Sequence, residues 1–150
     1  MRTESTLKTI LFDLDGTLIN SLPAYILSFQ HNIREVTGRD VSAEELTSRI
    51  SVPTPRILSY YAPPEQIPGM VARHNDLMRQ NADRITFYPG VPEALCSLHA
   101  AGLKLGVVTS QIEGEIATAR AAMNIEDLID VWIHSDLVAH PKPAPDPVLL

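Results

Sequence analysis

The sequence predicts an α/β protein, a parallel sheet interrupted near its start by a block of helices. Three observations carry this expectation. Short apolar runs at 9–12, 103–109 and 129–133 alternate with helical periodicities once residue 86 is passed. From about 20 to 85 the pattern is helical, with no strand run. Polar residues suited to chemistry follow the apolar runs: Asp13 and Asp15, then Thr109 and Ser110, then Lys142. Alternating strands and helices imply right-handed crossovers, and the carboxyl ends of such strands share one ligand crevice.

The first apolar run ends at Asp13, and Asp15-Gly16 marks a turn. Helical spacing begins near Ser21: Ile26, Phe29, Ile33 and Val36 recur at intervals of three and four, forming one face, and Gly38 stops the helix. Ser42 with Glu45 has the form of a capping box that starts another. Pro53, Pro55, Pro63-Pro64 and Pro68-Gly69 break the following stretch, and a longer helix is expected over 70–81. Beyond Tyr88-Pro89-Gly90 the pattern changes. Residues 91–101 read as a helix ended by Gly102, 103–109 as a strand, and 113–123 as a helix. A strand over 129–133, a proline-bearing loop over 134–145 and a helix start at 146–150 complete the chain. The expected organisation is an α/β core of 1–19 and 86–150, with 20–85 as a helical insertion.

A chain of 150 residues, 45% hydrophobic, can bury one core plus a small accessory unit. Its formal net charge of -6 argues against nucleic acid and anionic membranes as partners. The one cysteine, Cys96, cannot form an internal disulfide, which fits a reducing cytoplasm; on its helical stretch it is expected to be buried. The run Ile10-Leu11-Phe12 is too short for a signal peptide or for a span of about 20 apolar residues.

Asp13-Leu14-Asp15-Gly16-Thr17 puts two carboxylates at the end of a buried strand, where a hard divalent cation is the usual remedy for their charge. One carboxylate can attack phosphorus, while the other serves as acid and then base. Gly16 lets the backbone turn sharply. Thr109 can donate a hydroxyl hydrogen bond to a phosphoryl oxygen. Lys142, between Pro141 and Pro143, is a restrained cation able to offset phosphoryl charge.

Together these segments resemble the haloacid dehalogenase superfamily. Residues 13–17 (DLDGT) resemble its first motif, Gly106-Val107-Val108-Thr109-Ser110 its second, and Lys142-Pro143-Ala144-Pro145-Asp146 its third. The helical block resembles the cap inserted after the first motif, and the core would be Rossmann-like. The cap and the HPKPAPDPVLL ending are most similar to the phosphoglycolate phosphatase and PpaX-like pyrophosphatase group. The resemblance implies Asp13 as nucleophile and Asp15 as general acid and base. Thr109, with backbone amides near Asp15 and Ser110, would hold the phosphoryl oxygens, and Lys142 would tether nucleophile and phosphate. Mg2+ would bind an Asp13 oxygen and the Asp15 carbonyl. Arg56, in the cap, is a candidate for an anionic substrate tail.

The implied function is a cytoplasmic, magnesium-dependent phosphatase acting on a small phosphorylated metabolite, with phosphoglycolate and pyrophosphate as candidate substrates. A sugar-phosphate mutase or other phosphotransferase using the same nucleophile stays open. The family's fourth, acidic motif does not occur before Leu150, so a third expectation is a catalytically impaired fragment. In that case the first strand would form an exposed edge able to pair with another chain. Asn20 stands where the family often has aspartate. His31, His74, His99, His134 and His140 show no metal spacing, and Tyr60, Tyr61 and Met70 read as cap core.

Overall fold

The structure, a computed structural model, describes residues 7–50 and 52–150. Its elements are β1 Thr9–Phe12, β2 Ile19–Asn20, α1 Leu22–Thr37, α2 Ala43–Thr47, α3 Thr54–Leu58 and α4 Ile67–Gln80. Then follow β3 Thr86–Phe87, α5 Val91–Ala100, β4 Lys104–Val108, α6 Glu113–Met123, β5 Val131–Ile133 and α7 Asp146–Leu149.

β1, β4 and β5 form a parallel sheet in the order β1-β4-β5. Central β4 is covered by neighbours, and four of its five residues are buried, which explains its unbroken apolar run. β1 pairs on one side only among the described residues, and Leu11 is 38% exposed. Gly106 lies opposite Leu11 on one side and Val131 on the other. A Cβ at Gly106 would lie 2.6 Å from Leu11 Cδ2 and 2.9 Å from Val131 Cγ1, so both neighbours use the space that glycine leaves.

β2 and β3 form an antiparallel pair, with Ile19 opposite Phe87 and Asn20 opposite Thr86, where the chain leaves the sheet and returns. At two residues each they are too short to register as periodicity. The helices between them pack on their own apolar cluster, which includes Phe29, Ile33, Leu46, Ile57, Leu58 and Met70. The sheet and its flanking helices have a second cluster, which includes Leu14, Leu95, Leu105, Val107 and Ile116. Tyr25 packs against both.

Local signals act largely as expected. Gly38 adopts a left-handed conformation (φ 72°) and its N–H donates to Arg34 O at 2.8 Å. Ser42 Oγ accepts from Glu45 N at 3.1 Å. The Glu45 carboxylate turns instead to Arg39 and Tyr61, so the reciprocal half of the box is not seen.

Four expectations are corrected. Pro68-Gly69 does not break the chain: it lies in the first turn of α4, which starts at Ile67. Pro55 likewise lies in the first turn of α3. A first-turn residue has no intrahelical partner for its N–H, so proline fits there. Cys96 is exposed, because α5 turns Leu95 inward and the next residue is rotated about 100° away from it. Tyr60 is 46% exposed and packs against the guanidinium groups of Arg49 and Arg56 rather than in a core. No described helix is long and apolar enough to cross a membrane.

Candidate active site

Three loops at the carboxyl ends of β1, β4 and β5 converge. Leu14, fully buried, anchors the first loop and leaves Asp13 and Asp15 on either side of it. The Leu14 N–H donates to Asp13 Oδ1 at 2.9 Å. Lys142 comes from the loop beyond β5 and is 129 residues distant in sequence. Its Nζ donates to the same oxygen at 2.6 Å and to the Val108 carbonyl at 3.0 Å. The carbonyl at the end of β4 thus positions the ammonium, and the ammonium orients the carboxylate. No hydrogen bond among the described residues occupies Asp13 Oδ2.

Asp15 lies deeper. The hydroxyl of Ser21, at the start of α1, donates to its Oδ1. Burial raises the Asp15 carboxyl above its ordinary value. The Ser21 hydrogen bond opposes that shift, the charges of Asp13 and Glu115 add to it, and Lys142 opposes it. The two aspartates therefore differ in kind: one is held by an ammonium, while the other holds a proton more tightly than an ordinary aspartate. Gly16 follows with φ 79°, and its N–H donates to Ile19 O at 2.9 Å. A Cβ there would meet nothing within 4 Å, so the left-handed backbone is what calls for glycine.

Thr109 is 3% exposed at the end of β4. Its N–H donates to Ile133 O at 2.9 Å, and its Oγ1 accepts from Gln111 N at 3.1 Å. The hydroxyl proton remains available to an incoming oxygen. Ser110 is exposed in the same loop. The Gln111 carbonyl accepts from both N and Oγ of Ser135, which ties this loop to the one after β5.

Five residues that sequence reading missed complete the surroundings: Ser21, Tyr25, Thr54, Gln111 and Glu115. Glu115, in the first turn of α6, accepts from Ile112 N at 3.2 Å and from Thr54 Oγ1, on α3, at 2.9 Å. Burial raises the Tyr25 phenol far above its ordinary value, and the charges of Glu115 and Asp15 add to the shift, so it stays neutral. The only legible signal was Glu115, three residues after Ile112, the acidic half of a capping box. Arg56, the candidate for an anionic tail, is exposed and lies 5.4 Å from the Tyr60 ring centre. Thr54 faces the site, and two residues along a helix turn Arg56 about 200° away from it.

No group of three or more His, Cys, Asp or Glu side chains is placed to hold a metal ion among the described residues. The available hard donors are the Asp13 carboxylate and the Asp15 carbonyl, on which no hydrogen bond ends among the described residues. This set fits a cation such as magnesium, which keeps several waters and uses one or two carboxylates plus substrate phosphate.

Known proteins resemble this chain in sequence and in fold. Pyrophosphatase PpaX of Bacillus pumilus is 33% identical over 150 residues, covering 98% of this chain and 68% of the relative. Pyrophosphatase PpaX of Anoxybacillus flavithermus is 30% identical over 143 residues, covering 95% and 66%. The chain thus spans about two thirds of the length of these relatives. A predicted phosphoglycolate phosphatase from Haemophilus somnus superposes with a TM-score of 0.85 at 26% identity, over 95% of this chain and 69% of that one. CbbY from Rhodobacter sphaeroides superposes with a TM-score of 0.83 at 20% identity, over 96% and 70%, a likeness of fold. The model of the haloacid dehalogenase-like hydrolases matches residues 10–150, nearly the whole chain, and the chain belongs to that family.

Proposed function

We propose that this chain carries a magnesium-dependent phosphatase site, which hydrolyses a small phosphate monoester or pyrophosphate through an aspartyl-phosphate on Asp13. The contact of Lys142 Nζ with Asp13 Oδ1 carries this reading, because it places a fixed positive charge on a carboxylate at the mouth of the crevice. In the first step a carboxylate oxygen of Asp13 forms a bond to phosphorus. The bond from phosphorus to the leaving oxygen breaks, and that oxygen takes the Asp15 proton. In the second step water attacks the acyl phosphate, Asp15 recovers a proton, and inorganic phosphate leaves. The raised proton affinity of Asp15 suits it to begin as the acid. The Thr109 hydroxyl and the amides near Ser110 and Asp15 would hold the phosphoryl oxygens, and Lys142 would balance their charge. A magnesium ion held by Asp13 and the Asp15 carbonyl would offset further phosphoryl charge.

The names of the two pyrophosphatases and of the phosphoglycolate phosphatase support a small phosphorylated substrate. The acidic net charge supports the absence of nucleic acid and membrane partners in a cytoplasmic setting. The open edge of β1 is where a second copy would pair.

The test is phosphate release from p-nitrophenyl phosphate and pyrophosphate, with and without magnesium, for this chain and its Asp13→Asn variant. Magnesium-dependent release that vanishes in the variant is expected. Release that ignores either the metal or the substitution would sink the proposal.

A further inference from the structure

On the cap side of Asp15 the wall of the site is unusually rich in hydrogen-bond acceptors. Glu115 is half-buried, and both of its oxygens accept hydrogen bonds, from Thr54 and from Ile112 N. It lies in the first turn of α6, an 11-residue helix whose N-terminus favours negative charge. Its charge reaches both Asp15 and Tyr25. Gln111 is only 9% exposed, and its side-chain oxygen Oε1 has no hydrogen-bond partner among the described residues. The Tyr25 phenol stays neutral, so it adds no charge to this wall. Lys142, whose charge bears on Asp15, is committed to Asp13 and the Val108 carbonyl. Arg56 is exposed and packs against Tyr60.

A buried acceptor without a donor is costly, and a carboxylate repels a second anion. Under the reading above, Asp15 delivers its proton to the leaving oxygen, so the rest of the leaving group meets this wall. We propose that Glu115 and Gln111 determine specificity, and that they select phosphate monoesters whose alcohol carries an ammonium group over those whose alcohol carries a carboxylate. The ammonium would supply the missing donor to Gln111 Oε1 and a counter-charge to Glu115. The inference rests on the phosphatase reading and narrows it.

The test compares kcat/KM for phosphoethanolamine and phosphoglycolate, in magnesium, for the unaltered chain, Glu115→Gln and Gln111→Leu. One charge-assisted hydrogen bond corresponds to about a ten- to hundredfold preference, so phosphoethanolamine should lead by that factor. Glu115→Gln, which can still accept from Thr54, should bring the ratio close to one. Gln111→Leu, which leaves the α6 cap intact, should reduce it by a smaller factor. A ratio at or below one in the unaltered chain, or one that neither substitution moves, overturns the inference. If neither ester is turned over while p-nitrophenyl phosphate is, the inference falls and the phosphatase reading stands. If no ester is turned over, the phosphatase reading fails, and titration calorimetry on the folded chain decides the selectivity. Tighter binding of phosphoethanolamine, weakened by Glu115→Gln, would then support it; equal, reversed or absent binding would overturn it.

Discussion

Replacing Lys142 with methionine removes an ammonium and keeps the length and apolar stem of the side chain. Two contacts are lost, to Asp13 Oδ1 at 2.6 Å and to the Val108 carbonyl at 3.0 Å. The lysine side chain is 29% exposed and that of Asp13 48%, so water can replace the ammonium at the carboxylate. An ion pair with that access to solvent contributes about 1 kcal/mol at most. For a chain of 150 residues such a loss lowers Tm by about 2–4 °C. Under the proposed function the effect on rate is far larger, because the ammonium would lie where charge develops during phosphoryl transfer. Losing one preorganised group of this kind costs about 100- to 1,000-fold in kcat. Phosphate release and thermal melting, measured on the same Lys142→Met sample, separate the two effects. Activity within threefold of the parent in a folded variant would refute the assigned role. A Tm drop beyond about 10 °C would refute it differently, by showing the lysine to be structural.

Two further predictions concern stability and assembly. His74 is fully buried, stacks on Phe29 at 4.1 Å, and has no partner for either ring nitrogen. Burial lowers it to about 4, below its ordinary 6.5. The neutral ring therefore contributes stability that is fully present above pH 6.5 and is lost as the pH falls from there towards 4. At pH 5 the loss is about 2 kcal/mol, and a Tm that drops between pH 7 and 5 in the parent but not in His74→Leu would bear this out. An equal acid drop in both proteins would rule it out. Pairing of two copies through the β1 edge that is open among the described residues predicts an associating parent and a monomeric Leu11→Lys variant on size-exclusion chromatography with light scattering. A parent that is monomeric across the concentration range would show that the edge does not pair.

The residues that belong to local motifs were legible in the sequence for a physical reason. Asp13 and Asp15 lie where an apolar run ends, and a strand end is a local event. Ser42 and Gly38 announce helix ends through backbone chemistry confined to a few residues. Proline was misread because the same missing N–H that breaks a helix interior is harmless in a first turn, and only the position of that turn distinguishes the two cases. Cys96 and Tyr60 were misread because a residue type carries an average burial, whereas a particular helix face decides the actual one. Ser21, Tyr25, Thr54, Gln111 and Glu115 belong to four separate segments, and no spacing rule joins them.

The sequence by itself determined the alternation of strands and helices, the helical stretch between them and the place of the two aspartates at the end of the first strand. Each depends on hydrophobic period or on backbone chemistry within a few residues. Only the tertiary structure decided that Lys142 reaches Asp13 across 129 residues, and that Glu115 and Thr54 join the sheet domain to its insertion. It also decided that His74 lies dry between aromatic rings while Arg56 faces solvent. Those outcomes follow from sheet order and from which helix faces meet, and packing sets both only once the whole chain has closed on itself.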